Sequence, residues 1–418
     1  MITVVCFINN LRLQDNYCLN KALSYPDPIF PIILNNPVQS QKKWFGWPSL
    51  GPFRQAFLTE SIIDLKHALK RIGLFPWETS ENTLSALKII QKKYNEFRII
   101  MPYLLGYYEQ CERDALIEFA NHQECSIEFV WDHTLIEKMD VSTLSYGFSG
   151  FRKKVEKNMQ IKRELPPLTQ ANGIKHDLED TVLKPNPDID LIMPGGETAA
   201  HNHLNEYIWQ TKSIHHYKQT RNKLIGKHVS SKFSFYLSHG CLSARQIYHN
   251  IKRYEQEFGK NISTYWLVFE LLWRDFFQFQ CLKNQDHWFS FGGIQQKSWA
   301  PPNVDQDQCH AWATGQTSNA FINAAMIELK STGFMSNRGR QNAASYLIHD
   351  LGQDWRLGAA IFEHFLIDYD VASNIGNWMM IAGVGNSAQS KVFNVDNQRL
   401  RYDKNGKFTN FWTQPKLF

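Results

Sequence analysis

The segment at residues 367–380, IDYDVASNIGNWMM, carries polar side chains at helical spacing among apolar residues. Asp370, Asn374 and Trp378 follow one another in steps of four, so a helix would place them along one face. A carboxylate, an amide and an indole in that line could bind the hydrogen-bonding edge of a planar heterocycle. The alternative is a structural network, since buried polar groups are normally hydrogen-bonded within the protein. The ligand-binding interpretation is favoured because further segments repeat the pattern.

A long apolar stretch, TYWLVFELLWRDFFQF, contains a second group of such residues. Its steps of four, three and one put five side chains on one helix face: Trp266, Glu270, Trp273, Arg274 and Phe277. A carboxylate among tryptophans is costly to bury without a partner. We therefore expect this face to form a wall of a ligand site.

The segment FMSNRGRQNAASYLIHDLGQDWR gives a third group. Asn337 and Gln341 share one helix face, and Arg338 and Arg340 stand on either side of Gly339. As for the preceding segment, we expect this face to form part of a ligand site. A loop followed by a helix cap is the alternative interpretation.

HVSSKFSFYLSHG clusters Ser230, Ser231, Lys232 and Ser234 where an apolar helix begins. Hydroxyl groups and a lysine at the exposed N–H groups of a helix start would form a phosphate site without a glycine-rich loop. An ordinary serine N-cap, which needs only one hydroxyl, is the alternative.

The elements that position these groups differ between the two ends of the chain. Residues 1–130 alternate strand-like runs (ITVVCFI, PIFPIIL, FRIIM, CSIEFVW) with helical patterns, including a helix from about Phe53 that Gly73 stops. This alternation predicts βαβ units and a Rossmann-like parallel sheet. From residue 196 onward the pattern is helical throughout.

Neither end shows a dinucleotide fingerprint in its usual place. The first predicted strand runs into NNLRLQDN, which lacks the required glycines. The G-x-G-x-x-A match at Gly383, Gly385 and Ala388 follows a helix, so we interpret it as coincidence.

Residues 131–195 have the proline- and glycine-rich composition of a connector. Within them, FRKKVEKNMQIKR is strongly basic. It is either a solvated helix face or a phosphate-binding patch.

Composition places the chain in a broad class. Its 418 residues suffice for two domains, and the formal charge of +5 permits a polyanionic partner without requiring one. Seven scattered cysteines without C-x-x-C spacing suggest neither a disulfide framework nor a zinc site. No apolar run could span a bilayer and the start is not signal-like. We expect a cytoplasmic, monomeric protein without a metal.

Together these segments resemble the photolyase/cryptochrome family, and FELLWRDFF, FMSNRGRQNAASYLIHDLGQDWRLGA and ASNIGNW are most similar to its cryptochrome-DASH branch. The similarity runs from NNLRLQDN and GPFRQAFL through GGETAAHNHL to KVFNVDNQRLRYDKNGKF, nearly the whole chain. It implies a photolyase-type α/β domain at residues 1–130, a linker at 131–195 and an all-helical FAD-binding domain at 196–418.

The resemblance implies FAD as the cofactor. Residues expected to contact its phosphates are Tyr217, Ser230, Ser231, Lys232, Phe233 and Ser234. Arg340 would pair with Asp368 beside the isoalloxazine ring, Asp370 would contact the polar edge of that ring, and Asn374 would face N5. Trp378, Trp355 and Trp299 match the family's chain of tryptophans, which carries electrons from the surface to the photoexcited flavin.

The resemblance also implies a DNA-facing cavity. The residues matched to it are Glu270, Trp273, Arg274, Asn337, Arg338, Gln341 and Met380. The implied reaction is that of a deoxyribodipyrimidine photo-lyase: photoexcited reduced FAD lends an electron to a cyclobutane pyrimidine dimer, whose ring then splits. Single-stranded DNA is the expected substrate, because an unpaired lesion leaves its stack at lower cost. Photolyases for (6-4) lesions carry histidines at the positions of Asn337 and Gln341, which favours cyclobutane dimers here.

Two departures from the family keep an alternative open. Met380 stands where photolyases carry tryptophan and the DASH branch carries tyrosine, and TSNAFINAA replaces glycine, proline and aspartate by Ser318, Ala320 and Asn323. The alternative function is a blue-light photoreceptor with FAD photoreduction but little repair. The chain ends soon after NFWTQ, without the long tail of signalling cryptochromes, which favours the enzyme.

Relatives in this family often carry a second, antenna chromophore. Methenyltetrahydrofolate is the candidate for this chain, with Glu112 as a pterin-contacting residue or, alternatively, an ordinary surface glutamate.

Overall fold

The computed structural model describes residues 1–35, 43–123, 125–387 and 389–414. The strands in these residues are β1 (Ile2–Phe7), β2 (Ile29–Leu34), β3 (Lys43–Trp44), β4 (Trp47–Pro48), β5 (Trp77–Thr79), β6 (Phe97–Pro102) and β7 (Ser126–Val130). Five of them form a parallel sheet in the order β5-β2-β1-β6-β7, and β3 pairs with β4 in a small antiparallel ladder. The parallel sheet predicted from alternating strand and helix patterns is confirmed.

β1 and β2 are buried along their whole lengths, as expected for β-branched strands covered on both faces. The chain moves outward from β1 to β2 and β5, then returns to place β6 on the other side of β1. At this reversal the loops after β1 and β6 diverge, which is where open α/β sheets bind ligands. Asn9, Asn10, Leu104 and Leu105 of these loops line a cavity of about 900 Å³.

The α-helices of the described residues fall into two groups. Those associated with the sheet and the connector are α1 (Tyr17–Ala22), α2 (Pro52–Arg71), α3 (Thr83–Lys93), α4 (Tyr107–His122) and α5 (Phe148–Lys157). The helical part contains α6 (Glu197–Asn205), α7 (Tyr217–Thr220), α8 (Ser234–His239), α9 (Ala244–Phe258), α10 (Ile262–Lys283), α11 (Gln306–Thr314), α12 (Ala320–Thr332), α13 (Asn337–Ser345), α14 (Trp355–Phe365), α15 (Val371–Ala382), α16 (Val395–Tyr402) and α17 (Lys407–Thr413).

Short turns of other helix types link these elements. The 3-10 turns are Val141–Thr143, Ser213–His216, Gln285–His287 and Gly293–Gln295, and the π-helical turns are Glu206–Gln210 and Tyr346–Asp350. From residue 197 onward the described residues contain helices and no strand, so the predicted α/β plus all-α fold is confirmed. In the same described residues, no helix combines the length and the apolarity that a bilayer crossing requires.

The connector contains more structure than its composition predicted. α5 packs Phe148 face to face on Trp273, with ring centroids 3.7 Å apart, and buries Phe151 in the core. Lys153, Lys154 and Lys157 point to solvent. This matches the solvated-face interpretation of the basic segment.

Two other sequence departures have local explanations. α12 starts normally, because the side chain of Asn319 caps it by accepting from the amides of Phe321 and Ile322. Gly383 ends α15 at φ +76°, with its amide bonded to the carbonyl of Met379. The glycine-rich match there is therefore a helix end, and its third residue, Ala388, lies outside the described residues.

A buried group of four charges, here called the interface cluster, connects the sheet to the helices. It consists of Arg12, Asp15, Asp132 and Arg245, whose side chains are at most 5% exposed. Arg245 Nη2 lies 2.7 Å from Asp132 Oδ1, and its Nε lies 3.0 Å from Asp15 Oδ2. Arg12 Nη2 reaches the other oxygen of Asp132 at 2.6 Å. Because each charge is paired, the desolvation cost of the cluster is offset.

Candidate active site

Two cavities that share lining residues lie in the helical part. The larger has a volume of about 1,660 Å³ and the smaller about 560 Å³. The shared residues are Asn337, Arg340, Gln341, Asp368, Asp370, Ser373 and Asn377. The structure therefore brings together most of the predicted site residues.

Asp370 begins α15 instead of lying within it. Its Oδ1 accepts from the amide of Ser373 at 2.7 Å, which makes it the N-cap. Its Oδ2 accepts from Gln278 Nε2, also at 2.7 Å. The predicted line of three residues thus survives as a cap followed by Asn374 and Trp378, and all three line the smaller cavity.

Asn374 has a fixed side-chain orientation. Its Nδ2 donates to the carbonyl of Ala359 at 3.0 Å, on the neighbouring helix α14. That contact uses one of the two Nδ2 hydrogens, so the amide keeps its Oδ1 acceptor and one N–H donor for a ligand.

Arg340 and Asp368 form the ion pair that the resemblance implied. Arg340 Nη2 lies 2.9 Å from both oxygens of Asp368, and its Nε donates to the carbonyl of Met335 at 2.8 Å. The residue before Asp368 is anchored too, since His239 Nε2 lies 2.7 Å from the carbonyl of Ile367. Burial lowers the pKa of His239 to about 4, so this ring is neutral and donates.

The serine-rich segment lines the larger cavity with Ser230, Ser231 and Ser234. None of these hydroxyls caps α8, whose N-cap position is held by Phe233 without a side-chain bond. The N-cap interpretation is therefore wrong. The ammonium of Lys232 donates to the carbonyls of Gly226, at 3.1 Å, and Lys227, and burial lowers its pKa to about 8.

Glu270 forms an ion pair with Arg221 in the wall of the larger cavity. Burial raises the pKa of Glu270, and the positive charge of Arg221 opposes that rise. Tyr217 and Trp273 line the same cavity. Trp266 does not line it: Lys218 and Arg221 cover its ring at 4.3 and 5.7 Å. Arg221 contacts both this ring and Glu270, so the two share a helix face, but Trp266 is not part of the expected wall of the ligand site.

Asn337 and Gln341 face the cavities, as predicted, and Gln341 Oε1 has no hydrogen-bond partner in the described residues. A buried acceptor without a partner is normally satisfied by a ligand or water. Arg338 points elsewhere: its guanidinium lies 4.7 Å from the ring of Tyr402, and its Nη2 is 3.4 Å from Asn222 Oδ1. Its assignment to DNA stays a prediction.

The three tryptophans matched to the electron chain differ in burial. Trp378 and Trp355 are 2% exposed and Trp299 is 54% exposed. Trp378 lines the smaller cavity, and Trp355 Nε1 donates to the carbonyl of Phe291 at 3.0 Å. Of these three residues only Trp299 is exposed, and their assignment to an electron chain stays a prediction. Gly358 makes room for Trp378, because a Cβ there would come within 2.2 Å of the indole.

Glu112 and its neighbour Glu109 have different surroundings on α4. Glu112 is hydrogen-bonded to Thr83, and it lines none of the cavities described above. Glu109 lines both the 900 Å³ cavity and a smaller one of about 510 Å³ with Tyr107 and Phe289. Burial raises the pKa of Glu109 to about 8. The antenna assignment of Glu112 stays a prediction, and Glu109 is a stronger candidate.

Sequence reasoning missed several residues of the larger cavity, including Arg221, Asn377 and Lys391. It also missed Gln278, although Glu270, Arg274 and Gln278 are spaced by four and share a helix face. Lys391 Nζ lies 3.1 Å from the sulfur of Met380.

The donor set fits one kind of ligand. Serine hydroxyls suit phosphate oxygens, while the Asp370 carboxylate and Asn374 amide suit the edge of a heterocycle. The Arg340–Asp368 pair and the unpartnered Gln341 acceptor line both cavities. This set of side chains fits FAD.

Comparison with known proteins agrees with these features. The chain matches the family models for DNA photolyase, over residues 3–171, and for the FAD binding domain of DNA photolyase, over residues 266–417. A cryptochrome DASH from Danio rerio is 38% identical over 437 residues, covering 99% of this chain and 83% of the relative. A crystal structure of a Synechocystis sp. PCC6803 cryptochrome has a TM-score of 0.93 at 36% identity, covering 98% of this chain and 88% of that chain. A bacterial class III photolyase from Agrobacterium tumefaciens shares the fold, with a TM-score of 0.86 at 22% identity over 98% of this chain and 86% of that one.

Proposed function

Because the chain belongs to the photolyase/cryptochrome family, in company with cryptochrome DASH relatives, we propose that it is a blue-light-driven DNA photolyase of DASH type. Its substrate is the cyclobutane pyrimidine dimer, chiefly in single-stranded DNA. The observation that supports this most is the large cavity, in which the residues suited to a flavin adjoin those suited to an extruded base.

The chain's own residues bind and orient the cofactor. Ser230, Ser231 and Ser234 offer hydroxyls to the phosphates, while Lys232 holds the loop by its two carbonyl contacts. Arg340 and Asp368 form the charged pair beside the ring. When bound, FAD supplies the light absorption and the one-electron chemistry of the reaction.

Two further residues would bind the polar edge of the ring. The carboxylate of Asp370 is held on both oxygens, and Asn374, fixed by its bond to the carbonyl of Ala359, would face N5 of bound FAD. Fixed side chains of this kind need no reorganisation when charge develops, which is how protein dipoles stabilise charged states.

The mouth of the larger cavity receives the lesion. Trp273 offers a stacking surface held rigid by Phe148, and Asn337 and Gln341 offer amides to the pyrimidine edges. Glu270, oriented by Arg221, is placed to hydrogen-bond to the dimer. An extruded base in a close-fitting cavity is recognised in this way by other enzymes that act on bases.

Arg274 was predicted to contact DNA, and the structure gives it other partners. Its Nη1 donates to the carbonyl of His133, and its Nη2 lies 3.3 Å from the carbonyl of Leu237 and 3.8 Å from Asp370 Oδ2. We propose that it supports the flavin side of the cavity.

Illumination of the purified protein with a dimer-bearing single-stranded oligonucleotide tests this function. Blue light in the presence of a reductant should restore the ultraviolet absorbance of the intact thymines, and a dark sample should show no change. Flavin absorbance that bleaches in light without any restored thymine would favour the photoreceptor alternative.

Met380 is the observation that favours that alternative, because it puts a thioether where an aromatic ring would stack. We predict that Met380→Tyr tightens binding of the dimer-bearing oligonucleotide by about 1–3 kcal/mol, the usual strength of stacking per base. Fluorescence anisotropy with dimer-bearing and undamaged strands measures the gain. An unchanged dissociation constant would show that this position no longer contacts the lesion.

We also propose a site for the antenna chromophore. The cavity of about 510 Å³ combines Tyr107 and Phe289, suited to stacking, with Glu109 and Glu363, suited to ring nitrogens. Burial raises the pKa of both carboxyl groups, so Glu109 can act as a hydrogen-bond donor near neutral pH. Methenyltetrahydrofolate is the chromophore class that suits it.

A further inference from the structure

We infer that Gln278 positions the carboxylate of Asp370 for the flavin, an inference that rests on the proposed function. Gln278 is 3% exposed and lies one turn beyond Arg274 on α10. Its Nε2 donates to Asp370 Oδ2 at 2.7 Å. The amide thus reaches from α10 to the residue that begins α15.

The other contacts of Asp370 leave Oδ2 dependent on Gln278. The amide of Ser373 occupies Oδ1 at 2.7 Å. Arg274 Nη2 stays 3.8 Å from Oδ2, because the carbonyls of His133 and Leu237 hold its guanidinium. In the described residues, Gln278 is thus the side-chain donor nearest to Oδ2 of Asp370.

Gln278 and Asp370 also meet at the 900 Å³ cavity at the edge of the sheet. Both residues line that cavity, and Asp370 lines the two flavin-side cavities as well. Without the amide, water from the sheet side could solvate the carboxylate and turn it away from the ring. An amide donor prevents this without adding a charge beside the flavin.

A matched pair of variants tests the inference. Gln280 lies two residues further along α10, is 2% exposed, and donates its Nε2 to the carbonyl of Ser145 at 3.0 Å, away from these cavities. Gln278→Leu should weaken FAD binding by about tenfold or more, the usual cost of losing a hydrogen bond to a charged group. Gln280→Leu should leave FAD affinity unchanged.

The readouts are independent of repair. Titration of the apoprotein with FAD gives the dissociation constant, and the fine structure of the blue absorption band reports the hydrogen bonding at the ring edge. Gln278→Leu should change both, whereas Gln280→Leu should change neither even if both variants lose the same thermal stability.

A second variant keeps the test meaningful if Gln278→Leu fails to fold. In Gln278→Glu two carboxyl groups lie within hydrogen-bond distance and share one proton, which is lost as the pH rises. FAD affinity of this variant should therefore fall more steeply between about pH 6 and about pH 9 than that of the wild type.

Several groups near the site bear on this profile. Burial lowers the pKa of His133 to about 3 and raises those of Tyr369 and Cys281 well above their usual values, so these three do not titrate between pH 6 and pH 9. Burial brings the pKa of Glu109, on the same 900 Å³ cavity, and that of Lys232, in the serine-rich segment, to about 8, so both titrate in this range in the wild type as well. The part of the pH dependence that Gln278→Glu shows beyond the wild type would thus come from the new carboxyl pair.

The outcomes separate this inference from the proposed function. Equal FAD affinities and spectra in Gln278→Leu and Gln280→Leu, or the same pH profile in Gln278→Glu and the wild type, would overturn the inference alone. A wild-type protein that takes up no FAD would overturn both.

Discussion

Arg340→Met should lower the free energy of unfolding by about 3–5 kcal/mol, because it leaves the carboxylate of Asp368 buried without its partner. The side chain of Asp368 is 2% exposed, while that of Arg340 is 25% exposed. We expect the lower end of the range, since water can partly replace a guanidinium that is already one-quarter exposed. Urea denaturation of the apoprotein measures the change, and the loss of yellow colour on gel filtration reports FAD retention.

A double variant separates the charge from the packing. Arg340→Met combined with Asp368→Asn removes both charges and should recover most of the lost stability. FAD retention should remain poor, because the charged pair beside the ring is missing. If the double variant is as unstable as Arg340→Met alone, an uncompensated carboxylate is not the cause.

Trp378→Phe should slow flavin photoreduction in the presence of a reductant by at least about tenfold, equivalent to about 1.4 kcal/mol of barrier. Phenylalanine keeps an aromatic ring in contact with Phe362, whose centroid lies 5.0 Å from that of Trp378. It removes the indole, which is far easier to oxidise. Bleaching of the blue absorption band under constant illumination gives the rate.

Trp312→Phe is the matched control. Trp312 is buried, and its ring centroid lies 6.2 Å from that of Trp378 and 6.1 Å from that of Phe362. It has no counterpart in the proposed electron-transfer chain of tryptophans. Its photoreduction should stay near the wild-type rate. Equal slowing in both variants would indicate a packing effect and contradict the assignment of Trp378.

Periodicity in the sequence was enough to predict the sheet and the helices that carry the site. β1 and β2 are unbroken apolar runs, and such runs can be buried only between layers. The spacing of Asn374 and Trp378 predicted their common face. Asp370 was placed on the helix by the same rule, yet its short carboxylate caps the first turn instead.

The remaining errors concern contacts between distant segments. Trp266 has the right spacing, but Lys218 and Arg221 from the preceding helical segment cover it. Gln278 was overlooked because its spacing on α10 does not indicate what its uncharged amide binds. Its partner, Asp370, lies 92 residues later in the chain. The spacing of residues in the sequence predicts which side chains share a face of one helix. The contacts of Trp266 and Gln278 also depend on which other helix packs against that face.

If this chain is divided into a fragment with the sheet and a fragment with the helices, each fragment should give little soluble, folded protein in recombinant expression. The interface cluster would be cut so that Asp15 and Asp132 remain on one piece and Arg245 on the other. Each fragment would then expose unpaired charges inside an apolar surface. The two regions should accordingly unfold in one transition, and a chimera that joins either to a foreign partner should keep all four of these side chains.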